Sequence, residues 1–286
     1  MFRLFNRRRS ILESGLLQGA VDQHSHILYG LDDGVKTQED SLAILRYLEE
    51  QGVSEVWFTP HVMEDVPNTT EAIRTRFEEL KAVYDGGLSL HLAAEYMMDT
   101  LFEERLTQKD LLFHGEDTVL VETSAIAPPI NLWEILESMR KAGYRPLVAH
   151  PERYRYMDKA DYKRLHEMGC LLQLNLPSIV GFYGEAVQKR ALDLLDKGWY
   201  CMVGSDCHRF RAIKAQYEAV METVRKMLES VTDAESANKV CTDIQALAHA
   251  STSLKESSKM LKDKAASIGL VYSKSAEGFI KAPKEG

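Results

Sequence analysis

"DQHSHILYGLDDG", residues Asp22–Gly34, is the stretch whose reading decides the fold. It continues the apolar run "GAVDQHSH" into His24 and His26, and a loop later it reaches Asp32, Asp33 and Gly34. Residues i and i+2 of a strand point to one face, so His24 and His26 can grip one cation together. A lone HxH is a weak signal, and Asp-Asp-Gly is ordinary turn chemistry. The stretch marks a metal site only if comparable residues stand at the ends of later strands.

The chain repeats one unit of strand, loop and helix. After the first strand, Thr37 to Gln51 carries Leu42, Leu45 and Leu48 at helical spacing, with Thr37 as a cap and Gly52 as a stop. "SEVWFTPH" is a second β-rich run, followed by Thr70 to Tyr84 with Ile73, Phe77, Leu80 and Tyr84 on one helical face. "LSLHLAAEY", "TVLVETS", "RPLVAHPERY", "CLLQLNLPS" and "WYCMVGSDCH" supply further strands, with helices such as Asn131 to Ala142 and Tyr183 to Asp196 between them. About seven such units imply a mostly parallel α/β sheet.

The strand ends read His24 and His26, His61, Glu95, Glu122, His150, Asn175, then Asp206 and His208. A doubly wound sheet crowds its functional residues into one crevice, whereas a barrel gathers them from almost every strand at its C-terminal mouth. Six of seven ends offer a metal-binding side chain, which selects a closed or nearly closed barrel. Asp206 and His208 are expected to repeat the i, i+2 geometry of the first pair. Glu95 and Glu122 would be costly as unpaired buried charges, and cations compensate them. Pro151 is expected to hold His150 extended, and Pro60 to stiffen the approach to His61. With Asp33 the set numbers nine, enough for two or three ions, and its nitrogen and oxygen donors suit manganese, iron or zinc. His91, His114, His166 and His249 are set aside as core or surface side chains.

Composition is compatible with this. A chain of 286 residues, 45% hydrophobic and 27% charged, can hold one large barrel. The net charge of −8 argues against general nucleic-acid binding. Four cysteines without CxxC spacing suggest reduced thiols and a cytoplasmic setting. The basic start "MFRLFNRRRSILESGLLQGAV" is interrupted by Glu13 and Gln18 before an apolar core forms, and no run is long enough to span a membrane. Residues 1–19 are expected to be a solvated basic arm, 20–232 the barrel, and 233–286 a helical or mobile tail, with Phe210 to Leu228 and Ala234 to Ala250 as helices.

"HSHILYGLDDG", "TPH", the Glu95 and Glu122 strand ends, "AHPERY" and "GSDCH" together resemble the polymerase and histidinol phosphatase (PHP) superfamily. They are particularly similar to its bacterial metal-dependent protein-tyrosine phosphatases of capsule and exopolysaccharide loci, over about residues 20 to 210. The resemblance implies a distorted TIM-like barrel of seven β/α repeats around a trinuclear centre, commonly manganese. By that likeness His24, His26, Glu95 and Asp206 hold one ion, Glu95, Glu122 and His150 a second, and Asp33, His61 and His208 a third, with Glu95 as the bridge. Arg153 matches an arginine that contacts the substrate phosphate, and Arg153, Asp33 and His208 stand as the catalytic set. A second such arginine is expected after the last ligand pair, where "SDCHRFRAIK" offers Arg209 or Arg211.

The implied substrate is a phosphotyrosine protein, most specifically the tyrosine-rich tail of a bacterial autokinase; a homo-oligomer is left open. Two alternatives share the ligands: a small-molecule phosphomonoesterase of histidinol phosphatase type, and a noncatalytic metal-binding regulatory module. A cysteine-dependent tyrosine phosphatase needs an arginine six positions after its thiolate. The residues six after Cys170, Cys201, Cys207 and Cys241 are Leu176, Cys207, Ile213 and Leu247, so that chemistry is excluded. Cys207 is assigned to packing.

Overall fold

Strand β1 (Ala20–Ser25) is buried along its whole length, as a strand must be when helices cover one face and a barrel interior lies behind the other. The computed structural model describes residues 18–215, 218–219, 270–273 and 278–281. Helix α1 (Gln38–Glu50) follows, with the Thr37 side chain accepting from Asp40 N, a cap worth about 1 kcal/mol. Its buried face is Ser41, Ile44, Leu45 and Leu48. Each large aliphatic among them contributes roughly 1.5–3 kcal/mol by leaving water.

The expected second strand is two: β2 (Val53–Phe58) and β3 (His61–Val62). Pro60 lacks an N–H and interrupts the ladder. The next run breaks likewise, into β4 (Ser89–Leu92) and β5 (Glu95–Met97) around Ala93 and Ala94. The ladder still continues across both breaks, through Ala93 N to Phe58 O at 2.9 Å and Glu95 N to Pro60 O at 3.1 Å. Helix α2 (Thr70–Val83) joins the two runs, and α3 (Thr100–Gln108) follows β5. Then come β6 (Thr118–Glu122), α4 (Leu132–Lys141), β7 (Arg145–Ala149), α5 (Lys159–Glu167), β8 (Leu171–Asn175), α6 (Glu185–Asp196) and β9 (Tyr200–Gly204).

Within the barrel all pairings are parallel: β1 with β2 and β2 with β4 in one sheet, and β3 with β5, then β5 through β9 in sequence order, in the other. Between β9 and β1 the contact is a single parallel bridge, Ser25 with Cys207. Two backbone bonds reinforce it, Asp206 N to His24 O and His26 N to Cys207 O, each 2.9 Å. The Asp22 carboxylate adds bonds from Ser205 N at 2.8 Å and Ser205 Oγ at 2.6 Å. At Gly204 the strands approach so closely that a Cβ would lie 2.2 Å from the His24 Cβ. The strands thus follow the order of a distorted (β/α)7 barrel, divided into the sheets β1-β2-β4 and β3-β5-β6-β7-β8-β9, with a thin joint between first and last strands.

Alternation separates two cores. Val119, Val121, Val148 and Val203 pack with helix residues in the main apolar cluster. Leu120, Leu147, Ala149 and Met202 on the opposite face form a small interior cluster, and Val21, Trp57 and Ala93 form another.

Beyond the barrel, residues 210–215 and 218–219 are helical. Within the region expected to be a helical or mobile tail, the described residues form two short strands, β10 (Leu270–Ser273) antiparallel to β11 (Gly278–Lys281). The paired residues are strong β-formers, Val271 opposite Ile280 and Tyr272 opposite Phe279. Residues 1–17 of the basic arm and the helix expected at Ala234 to Ala250 lie outside the described residues. Among the described residues no helix is long and apolar enough to cross a membrane.

Candidate metal centre

Glu95 stands at the start of β5, fully buried, and the other polar groups are arranged around it. Its Oε2 lies 3.2 Å from His24 Nε2, from His26 Nε2 and from His61 Nδ1. Its Oε1 is 3.1 Å from His150 Nε2. Glu122 places Oε1 3.1 Å from His61 Nδ1 and Oε2 3.7 Å from His150 Nε2. Asp206 Oδ1 lies 3.4 Å from His26 Nε2 and 3.5 Å from His208 Nδ1. At the solvent edge Asp33 Oδ1 is 3.4 Å from His208 Nε2 and 3.7 Å from His61 Nε2; the Asp33 side chain is 74% exposed.

All nine residues singled out in the sequence are brought together here. Their ligand atoms form four overlapping groups, each within 4.8 Å: His24, Glu95 and His150; His24, His26 and Asp206; His61, Glu95 and Glu122; and His26, Asp33, His61 and His208. These groups share members differently from the sets the family likeness implied: His150 falls with His24, Glu122 with His61, and His26 also reaches the Asp33 edge.

Two local expectations fail. His150 is not extended before Pro151: the strand ends at Ala149 and His150 takes φ 33°, ψ 51°, turning the chain into a short 3-10 helix, Pro151–Arg153. Asp206 and His208 do not repeat strand alternation, because β9 ends at Gly204 and Asp206 has φ 52°. Both turns aim a side chain back over the barrel mouth, and tertiary contacts hold the strained backbone there. Cys207 between them is fully buried, and burial raises its thiol pKa, consistent with a packing role.

The imidazoles are oriented from behind. His24 Nδ1 bonds Gln173 Oε1 at 2.7 Å, His26 Nδ1 bonds Asp32 Oδ2 at 2.8 Å, and His208 Nδ1 bonds the Asp206 carbonyl at 2.8 Å. Each acceptor oxygen fixes the proton on Nδ1 and leaves Nε2 as a lone-pair donor facing the cluster. Asp32 also accepts from Gly34 N at 2.9 Å and His61 N at 3.0 Å. Gly34 is required by close approach, since a Cβ would sit 2.0 Å from the His26 carbonyl.

Asp32, Gln173 and Tyr183 are site residues to which sequence reasoning gave no role, and Asn175 was read only as a strand end. For Asp32 the available signal was its place two before a glycine, where a carboxylate bonds the backbone N–H two residues on. Nothing in the sequence marks Gln173.

The electrostatics favour cations. Burial alone would raise the Glu95 pKa, but the surrounding imidazoles, His24 foremost, pull it well below the usual range. Burial opposes Asp206 likewise, yet the surrounding histidines bring it down to about 2. Burial would lower His26, while Asp32 and Glu95 drive its pKa well above normal. A pocket that holds protons so firmly has a strongly negative potential. Glu95 Oε2 and His61 Nδ1 are buried without a hydrogen-bond partner among the described residues, although each lies 3.2 Å from the other. Buried polar atoms are seldom left so, and atoms that converge without bonding one another fit a shared divalent ion.

Arg153 reaches in from the 3-10 helix, with Nη1 donating to Asp206 Oδ2 at 2.7 Å and the guanidinium 4.6 Å over the Tyr183 ring. Arg209 lines a cavity of about 320 Å³ with Asp33, Lys36, His208 and Phe210. Arg211 is exposed and is not among its lining residues. The set-aside histidines lie elsewhere: His114 is buried against Trp57, His91 bonds Glu55 at 2.9 Å, and His166 stacks on Trp199. His249 lies outside the described residues.

Fold and site define a class: a parallel β/α barrel with a cluster of candidate metal ligands at the C-terminal mouth. The sequence family described as capsular polysaccharide synthesis, CpsB/CapC, matches residues 20–246, and the chain belongs to it. Among its relatives is the tyrosine-protein phosphatase CpsB of Streptococcus agalactiae, 30% identical over 66% of this chain and 82% of the relative. Another is the putative tyrosine-protein phosphatase CapC of Staphylococcus aureus, 26% identical over 69% of this chain and 86% of the relative. A solved structure from work on YwqE of Bacillus subtilis and CpsB of Streptococcus pneumoniae, metal-dependent tyrosine phosphatases, has a TM-score of 0.65. It is 23% identical, with 81% of this chain and 95% of that chain covered, and it shares the fold.

Proposed function

We propose that this chain is a metal-dependent protein-tyrosine phosphatase, using two or three divalent ions, manganese foremost with iron or zinc as alternatives. Its substrate is the phosphotyrosine tail of a bacterial autokinase that controls capsule or exopolysaccharide synthesis, and it acts in the cytoplasm. The observation that carries this reading is the convergence of five imidazoles and four carboxylates, Glu95 among them, with an arginine at their edge. The names of the relatives point to the same chemistry. The three described cysteines are free thiols, which suits a reducing compartment.

The nine residues His24, His26, Asp33, His61, Glu95, Glu122, His150, Asp206 and His208 would hold the ions, Glu95 between them. Divalent ions held there would lower the pKa of coordinated water towards neutrality and draw charge from the phosphoryl oxygens. The chain supplies the rest. Arg153 keeps N–H donors beyond the one given to Asp206, enough to fork onto nonbridging phosphate oxygens. Arg209, beside His208 in the cavity, is the better placed second arginine. Burial and the His26 charge lower the His208 pKa, which favours the neutral ring whose Nε2 would face an ion beside Asp33. A tyrosine phenolate has a pKa near 10 and leaves with little acid assistance.

The test is a panel: the metal-loaded and chelator-stripped protein assayed on a phosphotyrosine peptide, a phosphoserine peptide and histidinol phosphate. Metal-dependent release of phosphate from phosphotyrosine supports the reading. Exclusive use of histidinol phosphate, or inactivity on all three, overturns it.

A further inference from the structure

Five large apolar side chains are exposed among the described residues: Val83, Ile126, Ile130, Phe182 and Phe210. Phe182, 61% exposed, is the one that ring contacts connect to Arg153. Arg153 Nη1 and Asn175 Nδ2 both donate to Asp206 Oδ2, at 2.7 and 2.9 Å. Asn175 Nδ2 also donates to the Tyr183 hydroxyl at 3.3 Å, and the Tyr183 ring carries the Arg153 guanidinium at 4.6 Å. Asp206, Asn175, Tyr183 and Arg153 thus close a circuit in which each holds the next. Phe182 meets the Tyr183 ring edge-on at 5.1 Å and 84°.

The pair sits at the centre of a tight turn closed by Gly184 N to Gly181 O at 2.9 Å and anchored by Phe182 N to Pro177 O at 3.2 Å. Tyr183 is turned inward and half-buried, while Phe182 is left in water. Ring contacts of 4.6 and 5.1 Å place the Phe182 ring within about 10 Å of the guanidinium carbon. Phe210, by contrast, packs edge-on against Tyr47.

We propose that Phe182 is a specificity residue that receives the phenyl ring of the substrate's phosphotyrosine. The inference rests on the reading of Arg153 as the phosphate-binding arginine. A phosphoryl group on the free donors of Arg153 carries its ester-linked ring outward, along the wall that Tyr183 begins and Phe182 continues. Aromatic pairs gain from offset or edge contacts at ring separations of 4.5–7 Å, and the exposed Phe182 ring leaves water when it is covered. A serine phosphate presents no ring to cover it. Because Tyr183 is fixed through Asn175 to the same carboxylate that holds Arg153, wall and phosphate site keep their separation.

The test uses the full chain loaded with manganese. Phe182→Ala and Phe182→Leu are compared with wild type on phenyl phosphate and on a phosphotyrosine peptide, with inorganic phosphate as competitive inhibitor. Loss of the aromatic wall is expected to raise KM for both substrates about three- to tenfold, with kcat and the phosphate inhibition constant within about twofold and the leucine variant intermediate. An unchanged KM, or a KM and an inhibition constant that rise together, overturns the proposal. A wild type inactive on both substrates overturns the phosphatase reading itself.

Discussion

Gln173→Leu tests whether the imidazoles are oriented from behind. Leucine is one atom smaller than glutamine, branches one carbon earlier and has no amide, and position 173 is buried, so the change deletes two bonds and leaves a small space. One is to Gln23 O at 3.1 Å, which His114 Nε2 still bonds at 3.1 Å. The other is the 2.7 Å bond to His24 Nδ1, and its loss leaves a buried donor unpaired at about 1–3 kcal/mol. His24 can relieve that cost by moving its proton to Nε2, where Glu95 Oε2 waits at 3.2 Å. That tautomer no longer offers a lone pair to the cluster. Loss of such a supporting partner typically weakens metal binding 10- to 100-fold, or about 1.4–2.7 kcal/mol at 1.36 kcal/mol per decade. The assay is calorimetric titration of chelator-stripped protein with manganese, alongside its metal-free melting curve. A melting point lowered by several degrees with manganese affinity within twofold of wild type would show that Gln173 only packs, and would refute the tautomer argument.

Glu95→Gln removes the carboxylate that faces four imidazole nitrogens; the protein should fold yet retain fewer ions by elemental analysis, with turnover of phosphotyrosine peptide down by at least about 10³ through loss of ion-assisted charge stabilisation. Tyr183→Leu removes the ring beneath Arg153, a contact worth about 0.5–2 kcal/mol; steady-state kinetics should show KM for the peptide up several-fold, while Tyr183→Phe, which keeps the ring, stays closer to wild type. Burial lowers the His114 pKa to about 3, mainly by desolvation, so the folded protein holds it neutral while the unfolded chain takes up a proton below about 6.5. The stability this neutral group contributes is present above that value and is lost as pH falls towards 3. Between pH 7 and 5 wild type should therefore lose about 2 kcal/mol relative to His114→Gln in urea unfolding, at 1.36 kcal/mol per unit; parallel losses in both proteins would contradict it.

The repeat of strand and helix was legible because each helix carries its own stripe and stop. Leu45, Leu48, Ile73, Phe77 and Leu80 are buried at the spacing that named them, and Thr37 caps where the pattern begins. Breaks within strands were not legible at Ala93 and Ala94, since apolar alanines carry no interruption signal; the break is set by Pro60 on the neighbouring strand, across the ladder. The β10 and β11 pairing was not legible either, because short β-forming runs among lysines and serines read as polar chain.

The candidate ligands were legible because chemistry limits which side chains hold cations, whereas their backbone conformations were not. Only three non-glycine residues among those described have positive φ, and His150 and Asp206 are two of them. Neither conformation follows from local preference, so long-range contact must impose it. For Asp206 that contact is its own N–H bonded to His24 O, the joint that closes the barrel. The same few residues therefore complete the ring and aim the ligands: His24 and His26 face Asp206 across a seam of one bridge and two backbone bonds. An ion held by His24, His26 and Asp206 would tie first strand to last where the ladder is thinnest. The contacts that join first strand to last are therefore also those that place the candidate ligands, and sequence periodicity, which reports on helices packing against the outside of the barrel, carries no information about them.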